Sequence, residues 1–243
     1  MLRRVAGGLP GAGPLRAVDA GRNLWLIVSN VSDKGYGEAS ISEGLQRLDW
    51  VSRRAMGHEA VVETFLAAAA VLPMQLFTIF TSDERALAHV TRNRRRIEGI
   101  LTRVAGHVEW GLRLTWDERA ARTAVEQAHK PSRGTAAVSG SAYLTRKRDL
   151  LDVNRVRLAG ARSDATKLHR VLSKHATDAV RRTSTERAAP GSRLLLDAAY
   201  LVPARRGAAF RALLRRAAPM LEAAGIAASM TGPWPPYNFI ASS

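Results

Sequence analysis

Residues 230–239 spell MTGPWPPYNF, and this stretch near the C-terminus restricts the fold more than any other part of the chain. Its prolines and aromatic residues are Pro233, Trp234, Pro235, Pro236, Tyr237 and Phe239. Each proline fixes φ and lacks a backbone donor, so neither a helix nor a central strand can run through the stretch. The whole chain has only 5 Trp, 4 Tyr and 5 Phe, and three of them lie together here. Large aromatic faces gain free energy by leaving water, so we expect the stretch to be held against a surface.

Two interpretations of this tail are open on general grounds. Pro233 and Pro236 have the spacing of a polyproline ligand for an aromatic groove. Such ligands usually lie in solvated linkers, whereas this one directly follows a strand-like run. The alternative is a Pro-rich C-terminal clasp whose aromatic residues pack onto the protein's own domain. Physical considerations favour the clasp.

The second unusual property is charge. The 243 residues carry 37 Lys and Arg against 21 Asp and Glu, a formal net charge of +16. Such a balance favours nucleic acid, anionic lipid or an acidic protein as a partner, without choosing among them. The chain has no cysteine, which excludes disulfides, a cysteine nucleophile and thiolate metal sites and is compatible with the cytoplasm.

Neither a membrane span nor a signal peptide is predicted. The longest apolar run, residues 65–80, is interrupted by Pro73 and Gln75, and its 16 residues are too few to cross a bilayer as a helix. No membrane partner is therefore expected. Gly and Pro break the first residues where a signal peptide needs an apolar core, so residues 1–22 are predicted to be a disordered extension.

An N-terminal α/β domain is predicted over residues 23–116, with the order β-α-β-β-α-β. The expected strands are residues 24–31, 58–65, 74–80 and 107–116, which are rich in β-forming or alternating apolar residues. A helix over residues 40–55, with Ser42 as its N-cap, follows the first strand. A second helix begins with a capping box at Thr81 and ends at Gly106.

Residues 117–140 are polar, contain Pro131 and Gly134, and are predicted to be a linker. A long helix is predicted over residues 141–176, because apolar residues recur there every seven positions. It opens a C-terminal domain that covers residues 141–243.

Three extended runs and one more helix complete this C-terminal domain. The runs are residues 180–186, 194–202 and 226–230, and the helix follows Pro203 and ends before Gly225. This order indicates a ferredoxin-like unit with right-handed crossovers. The predicted fold class is therefore α+β, with two α/β units, the C-terminal one ferredoxin-like with a long helix and the Pro-rich clasp.

No catalytic, metal or cofactor site is predicted. No two histidines lie three or four positions apart, and neither a zinc-protease motif nor a phosphate-binding glycine loop occurs. His58, Glu59 and Glu63 come nearest to a metal-binding set, but His58 and Glu59 would point to opposite faces of the predicted strand. Paired carboxylates lie at element boundaries, where capping and solvation account for them. We therefore expect neither enzymatic activity nor a cofactor.

Several stretches resemble one known family. TGPWPPYNF closes a strand-helix-strand unit that opens with AAYLVP, and further motifs precede it in the family's order. These motifs are HEAVVE at 58–63, VLPMQLFTIF at 71–80, EWGLRL at 109–114 and AYLTRKR at 142–148. Together they resemble the gas vesicle GvpL/GvpF proteins over residues 24–240, nearly the whole chain.

The resemblance implies an accessory or minor structural protein of gas vesicle formation, found at the gas vesicle and in the cytoplasm. Members of the family are thought to associate with the hydrophobic shell protein GvpA and with other gas vesicle accessory proteins, restraining aggregation before assembly. No catalysis is implied. The Pro-rich tail is then the candidate structural or partner-contact segment.

The competing class of function is a basic nucleic-acid-binding module, motivated by the net charge of +16. An RNA-binding ferredoxin-like sheet carries exposed aromatic residues in an RNP1-like order. No such motif occurs in this sequence, so nucleic acid is the weaker partner prediction.

Overall fold

The computed structural model describes residues 8–117, 140–183 and 191–240. Its residue contacts divide the chain into one unit of Met1–His107 with Pro235–Ser243 and a second unit of Val108–Trp234. This division differs from the predicted one, in which the first domain ended at residue 116 and the second began at residue 141. The predicted linker falls mostly outside the described residues.

The first unit opens with a β-hairpin. Strand β1 (Arg16–Asp19) pairs antiparallel with β2 (Trp25–Val28). The turn between them has three consecutive residues with positive φ, beginning at Gly21, and Asp19 Oδ1 accepts a hydrogen bond from Gly21 N at 2.7 Å. The prediction of a disordered extension over residues 1–22 is therefore wrong for β1, whereas residues 1–7 lie outside the described residues.

Five helices follow the hairpin in the first unit. They are α1 (Asp33–Tyr36), α2 (Glu38–Gly44), α3 (Leu48–Thr64), α4 (Asp83–Arg92) and α5 (Arg94–Val104). The side chain of Ser82 caps α4 by accepting from Arg85 N at 3.3 Å, and Asp83 and Glu84 stabilise its first turn. The cap is thus one residue later than the predicted Thr81.

The helix predicted from Thr81 to Gly106 is two helices. Asn93 ends α4 and precedes α5, and its side-chain amide donates to the His89 carbonyl oxygen at 2.9 Å. A short polar side chain that bonds the backbone in this way interrupts the helical ladder. The apolar stripe still marked both helices correctly, because Val90, Ile100 and Val104 are buried.

Other predictions for the first unit were wrong. Residues 58–65 are not a strand, because α3 continues through them to Thr64, and residues 74–80 contain no regular strand. The adjacent Val61 and Val62 are both buried on the helix, so their run of β-forming residues reflected burial and not an extended backbone. The helix predicted over residues 40–55 is two helices, and Ser42 lies inside α2 instead of capping it.

The second unit has a four-stranded sheet and two long helices. Its elements are β3 (His107–Asp117), α6 (Gly140–His175), β4 (Asp178–Arg181), β5 (Ser192–Pro203), a 3-10 turn (Ala204–Arg206), α7 (Gly207–Ala223) and β6 (Ile226–Trp234). The strand order is β4-β5-β3-β6, with β4 antiparallel to β5 and β3 antiparallel to β6. These elements confirm the predicted long helix, the strand before Pro203 and the final helix.

The strand β3 was predicted to close the first unit, but it lies in the sheet of the second unit between β5 and β6. Its register pairs Leu112 with Met230 and Leu114 with Ala228. Periodicity identifies a strand, but it does not identify the strand's partner, and the pairing of residues more than 100 positions apart is decided by tertiary packing.

The core of the second unit lies between the sheet and its two helices. Alternate residues of β3 and β5, including Leu112, Leu114, Tyr200 and Val202, are fully buried and pack against Leu172 of α6. The helix α7 adds Phe210 and Leu221. Each large side chain in such a core contributes about 1.5–3 kcal/mol, so this layer holds the helices on the sheet.

Candidate functional site

The Pro-rich tail is divided between the two units. Pro233, which is exposed, and Trp234, which is half-buried, end strand β6 of the second unit. A proline is tolerated there because β6 is an edge strand. Pro235, Pro236 and Phe239 are buried in the first unit, where Tyr237 begins a short 3-10 turn.

The tail contacts two helices of the first unit. Tyr237 Oη donates a hydrogen bond to Glu59 Oε2 on α3 at 2.6 Å, and the Arg103 guanidinium on α5 donates to the Phe239 carbonyl oxygen. Phe239 is only 2% exposed. The burial of Pro235 and Pro236 disagrees with a polyproline ligand held out in solvent.

The neighbouring residues His58 and Glu59 contact different parts of the first unit. They lie on a helix and not on the predicted strand, with Glu59 against Tyr237 and His58 on the wall of a cavity. Glu63 is exposed. Across the described ranges no three histidine or acidic side chains lie close enough to hold a metal ion together.

A cavity of about 620 Å³ lies inside the first unit, between the β1–β2 hairpin, helices α3, α4 and α5, and the segment before α4. Sequence reasoning missed it, because its walls come from five separate segments. Its lining is almost wholly aliphatic or aromatic and includes Leu15, Ile27, Val62, Phe65, Val90 and Leu101. Trp25 stands at the rim and is 56% exposed.

The cavity wall has few polar side chains, namely Asn23, Ser29 and His58. Burial lowers the pKa of His58 below its usual value of 6.5, although the nearby Glu59 charge and a backbone hydrogen bond with Met74 act in the opposite direction. His58 is therefore neutral at pH 7. A cavity of this size with an uncharged, apolar wall is suited to aliphatic groups and not to ions or sugars.

An aromatic stack supports the same unit beside α3. The Arg54 guanidinium lies 3.6 Å from the Trp50 ring centroid and 4.9 Å from that of Tyr36, and Trp50 stacks on Phe77 at 5.4 Å. Arg54 is only 9% exposed, so the two ring faces offset part of the cost of burying its charge. No sequence motif marks this stack.

None of the helices in the described part of the chain is long and apolar enough to cross a membrane. The described architecture is that of a mixed α+β protein with antiparallel strand pairs and an apolar cavity.

The family model described as "Gas vesicle synthesis protein GvpL/GvpF" matches residues 3–241. "Gas vesicle protein L" of Streptomyces sp. (strain CB03234) is 31% identical over 223 residues, which cover 89% of this chain and 80% of that protein. The chain therefore belongs to the GvpL/GvpF family of gas vesicle synthesis proteins, and its role lies in gas vesicle formation.

Two solved structures share the fold. The crystal structure of GvpF from Anabaena sp. PCC7120 matches with a TM-score of 0.68, covering 98% of this chain and 89% of that chain. GvpF from Microcystis aeruginosa matches with a TM-score of 0.64, covering 98% and 92%. Each is 14% identical to this chain, so the fold is kept where most side chains differ.

Proposed function

We propose that this protein is a non-catalytic accessory or minor structural protein that binds the hydrophobic gas vesicle shell protein GvpA, together with other accessory proteins, during vesicle assembly. Family membership supplies the process. The observation that carries the binding proposal is the apolar cavity of about 620 Å³ in the first unit. The place of action is the gas vesicle and the surrounding cytoplasm.

An apolar cavity is the kind of receptor that an aggregation-prone partner needs. A shell subunit before assembly exposes aliphatic side chains to water, and exposed apolar surface drives non-specific association. Burying two or three leucine-sized side chains contributes about 3–9 kcal/mol before the cost of association is subtracted. The resulting affinity is modest, which allows the accessory protein to release the subunit to a growing shell.

We propose further that the Pro-rich tail is a clasp and that the second unit is ferredoxin-like. The contacts of Tyr237 with Glu59 and of Phe239 with Arg103 support the clasp. The β-α-β-β-α-β order of the second unit and its strand order β4-β5-β3-β6 support the ferredoxin-like assignment. In this arrangement the clasp has a structural role, and the cavity has the partner-binding role.

The test is a comparison of two exposed apolar residues of the first unit. Trp25 is 56% exposed at the cavity rim, and Leu48 is 81% exposed but does not line the cavity. We expect Trp25→Glu to abolish capture of purified GvpA and to stop the protein from suppressing GvpA aggregation in a light-scattering assay. Leu48→Glu, which adds the same charge, should leave both activities unchanged.

Unfolding must be measured on the same two variants. If both variants keep their melting temperatures and lose GvpA binding equally, the cavity is not the binding site. If the unmodified protein neither captures GvpA nor lowers its aggregation, the proposed function is wrong.

A further inference from the structure

The positive charge of the chain is concentrated on the two helices of the second unit and on the 3-10 turn that precedes α7. The ranges 140–175 and 204–223 contain 14 Lys and Arg against 4 Asp and Glu, which is +10 of the total of +16. Helix α6 packs against β5, α7 packs against β6 and β5, and the two helices contact each other. Their outer surfaces therefore form one basic layer over the sheet.

The densest part of this layer is α7 and the 3-10 turn before it. It carries five exposed arginines, here called the arginine face: Arg205, Arg206, Arg211, Arg215 and Arg216. Glu222 is the single acidic residue in this part of the sequence. Within the described ranges no carboxylate lies within ion-pair distance of any of the five.

Arg211 lies over the Trp110 ring, 5.3 Å from its centroid, whereas the fold gains little from the other four arginines, and some of the five destabilise it electrostatically. Arg206 is the N-cap of α7 and makes no side-chain capping bond, and the first turn of α7 has no acidic residue. Positive charge at a helix N-terminus opposes the helix dipole. Arg211 and Arg215 are also four residues apart, a spacing at which like charges repel.

Arginines elsewhere in the chain have a different arrangement. On α5, Arg94 pairs with Glu98 at 3.2 Å and also donates to the Ala20 carbonyl oxygen. In the second unit, Arg182 pairs with Asp197 at 2.5 Å. These pairs account for their arginines within the fold, whereas Arg205, Arg206, Arg215 and Arg216 make no comparable contact within the described ranges.

Exposed apolar residues lie among the basic ones. Val156 and Val171 on α6 are 71% and 44% exposed, and Met220 on α7 is 44% exposed. Arg155, Arg170 and other basic residues flank them in sequence. A phosphate backbone offers nothing to an exposed valine or methionine, whereas a protein partner can cover it.

From these observations we infer that the basic layer of α6 and α7 is a docking surface for an acidic protein segment that carries aliphatic side chains among its carboxylates. Carboxylates of the partner pair with the arginine face, since the guanidinium fork matches a carboxylate in a bidentate geometry. Aliphatic side chains of the partner cover Val171 and Met220. This inference is independent of the cavity and of GvpA.

The occupant of this surface is a different protein. A second copy of the chain would bring another +16 to the same surface. A segment of the same chain is also unsuitable, because its acidic residues are nowhere more than two in a row. An acidic partner is the occupant with complementary charge.

The experiment uses the full chain and three labelled probes of equal length. One is a peptide of alternating glutamate and leucine pairs, the second is a glutamate-only peptide, and the third is a single-stranded DNA. The test variant is Arg205→Gln/Arg215→Gln/Arg216→Gln. The control variant, Arg85→Gln/Arg92→Gln/Arg95→Gln, removes three exposed arginines from the first unit and changes the net charge equally.

At physiological salt we expect the glutamate–leucine peptide to bind more tightly than either other probe. The test variant should weaken that binding by about 10- to 100-fold, and the control variant by less than about threefold. The melting temperature of the test variant should be unchanged or slightly raised, because Arg205 opposes the dipole of α7 and Arg215 repels Arg211. Val171→Ser/Met220→Ser should weaken the glutamate–leucine peptide and leave the glutamate-only peptide unchanged.

Three results would overturn the inference. Tighter binding of the DNA than of the glutamate–leucine peptide would assign the surface to nucleic acid. Equal losses in the test and control variants would show only a diffuse charge effect. No measurable binding of the glutamate–leucine peptide by the unmodified protein would leave the surface without the proposed partner.

Discussion

The clasp proposal can be tested by removing one atom, the hydroxyl oxygen with which Tyr237 bonds Glu59. Replacing Tyr237 with phenylalanine removes the hydroxyl group and keeps the ring. Tyr237 Oη lies 2.6 Å from Glu59 Oε2, and the other oxygen of Glu59, Oε1, is buried without a hydrogen-bond partner in the described part of the chain. Tyr237→Phe therefore removes the hydrogen bond to Oε2 from a carboxylate whose Oε1 already lacks one among the described residues.

The expected loss follows from the kind of bond. A hydrogen bond to a charged group contributes about 1.5–3 kcal/mol when buried, and both residues are only partly buried, so we expect Tyr237→Phe to lower the free energy of unfolding by about 1–2 kcal/mol. For a chain of this size that loss lowers Tm by about 2–8 °C. Glu59→Gln keeps an acceptor for the tyrosine but removes its charge, so its loss should be smaller.

The assay is urea unfolding followed by tryptophan fluorescence and circular dichroism, on both single variants and the double variant. A coupling energy of about 1 kcal/mol or more between positions 59 and 237 is expected. Proteolysis should cut the C-terminal residues of Tyr237→Phe sooner than those of the unmodified protein. Unchanged stability, no coupling and unchanged protease resistance would together show that this contact does not hold the tail.

Three further perturbations test contacts inside each of the two units. Gly44→Val should lower the free energy of unfolding by about 1–3 kcal/mol and change the near-ultraviolet circular dichroism, because a Cβ at position 44 would lie 2.5 Å from the Trp50 ring. A spectrum identical to that of the wild type would contradict the described packing of Trp50. Ser82→Ala should lower the free energy of unfolding by about 1 kcal/mol, because it removes the N-cap of α4, whereas Thr81→Ala should lower it much less. Equal losses would mean that Ser82 is not the cap. The free energy of unfolding should fall as pH drops below 6.5. Burial lowers the folded-state pKa of both His58 and His169, and the charge of Arg181 lowers that of His169 further, so the unfolded chain binds protons more readily than the folded one. The double variant His58→Gln/His169→Gln should flatten this pH dependence in urea titrations from pH 7.5 to 5.5, and an unaltered slope would contradict the argument.

Sequence patterns predicted the second unit better than the first, for a physical reason. The helix α6 repeats its apolar residues along one face, and β5 is a continuous apolar run before a proline, so local periodicity was sufficient. In the first unit, the adjacent Val61 and Val62 both turned inward on a helix because several elements surround α3. Such burial depends on distant parts of the chain.

The candidate sites depended even more on long-range contacts. Tyr237 and Glu59 are separated by 178 positions, and the cavity is lined from Leu9 to Leu101. The tail was recognisable as an ordered segment from its prolines and aromatic residues, but its contact with the first unit was not. The concentration of charge on α6 and α7 was readable in the sequence only after the boundaries of these helices were known.

The most direct test of the central claim is site-specific photocrosslinking in a vesicle-forming host whose own copy of the gene has been deleted. A photoreactive phenylalanine analogue is placed at Trp25, on the rim of the apolar cavity, or at Leu48, which is more exposed but lies outside the cavity lining. Both proteins should restore vesicle formation, so that the crosslinks report a working assembly. The proposed function predicts a crosslink to GvpA from position 25 and none from position 48. A GvpA crosslink from position 48 alone, or from neither position while vesicles form normally, would contradict the claim that the cavity binds the shell protein.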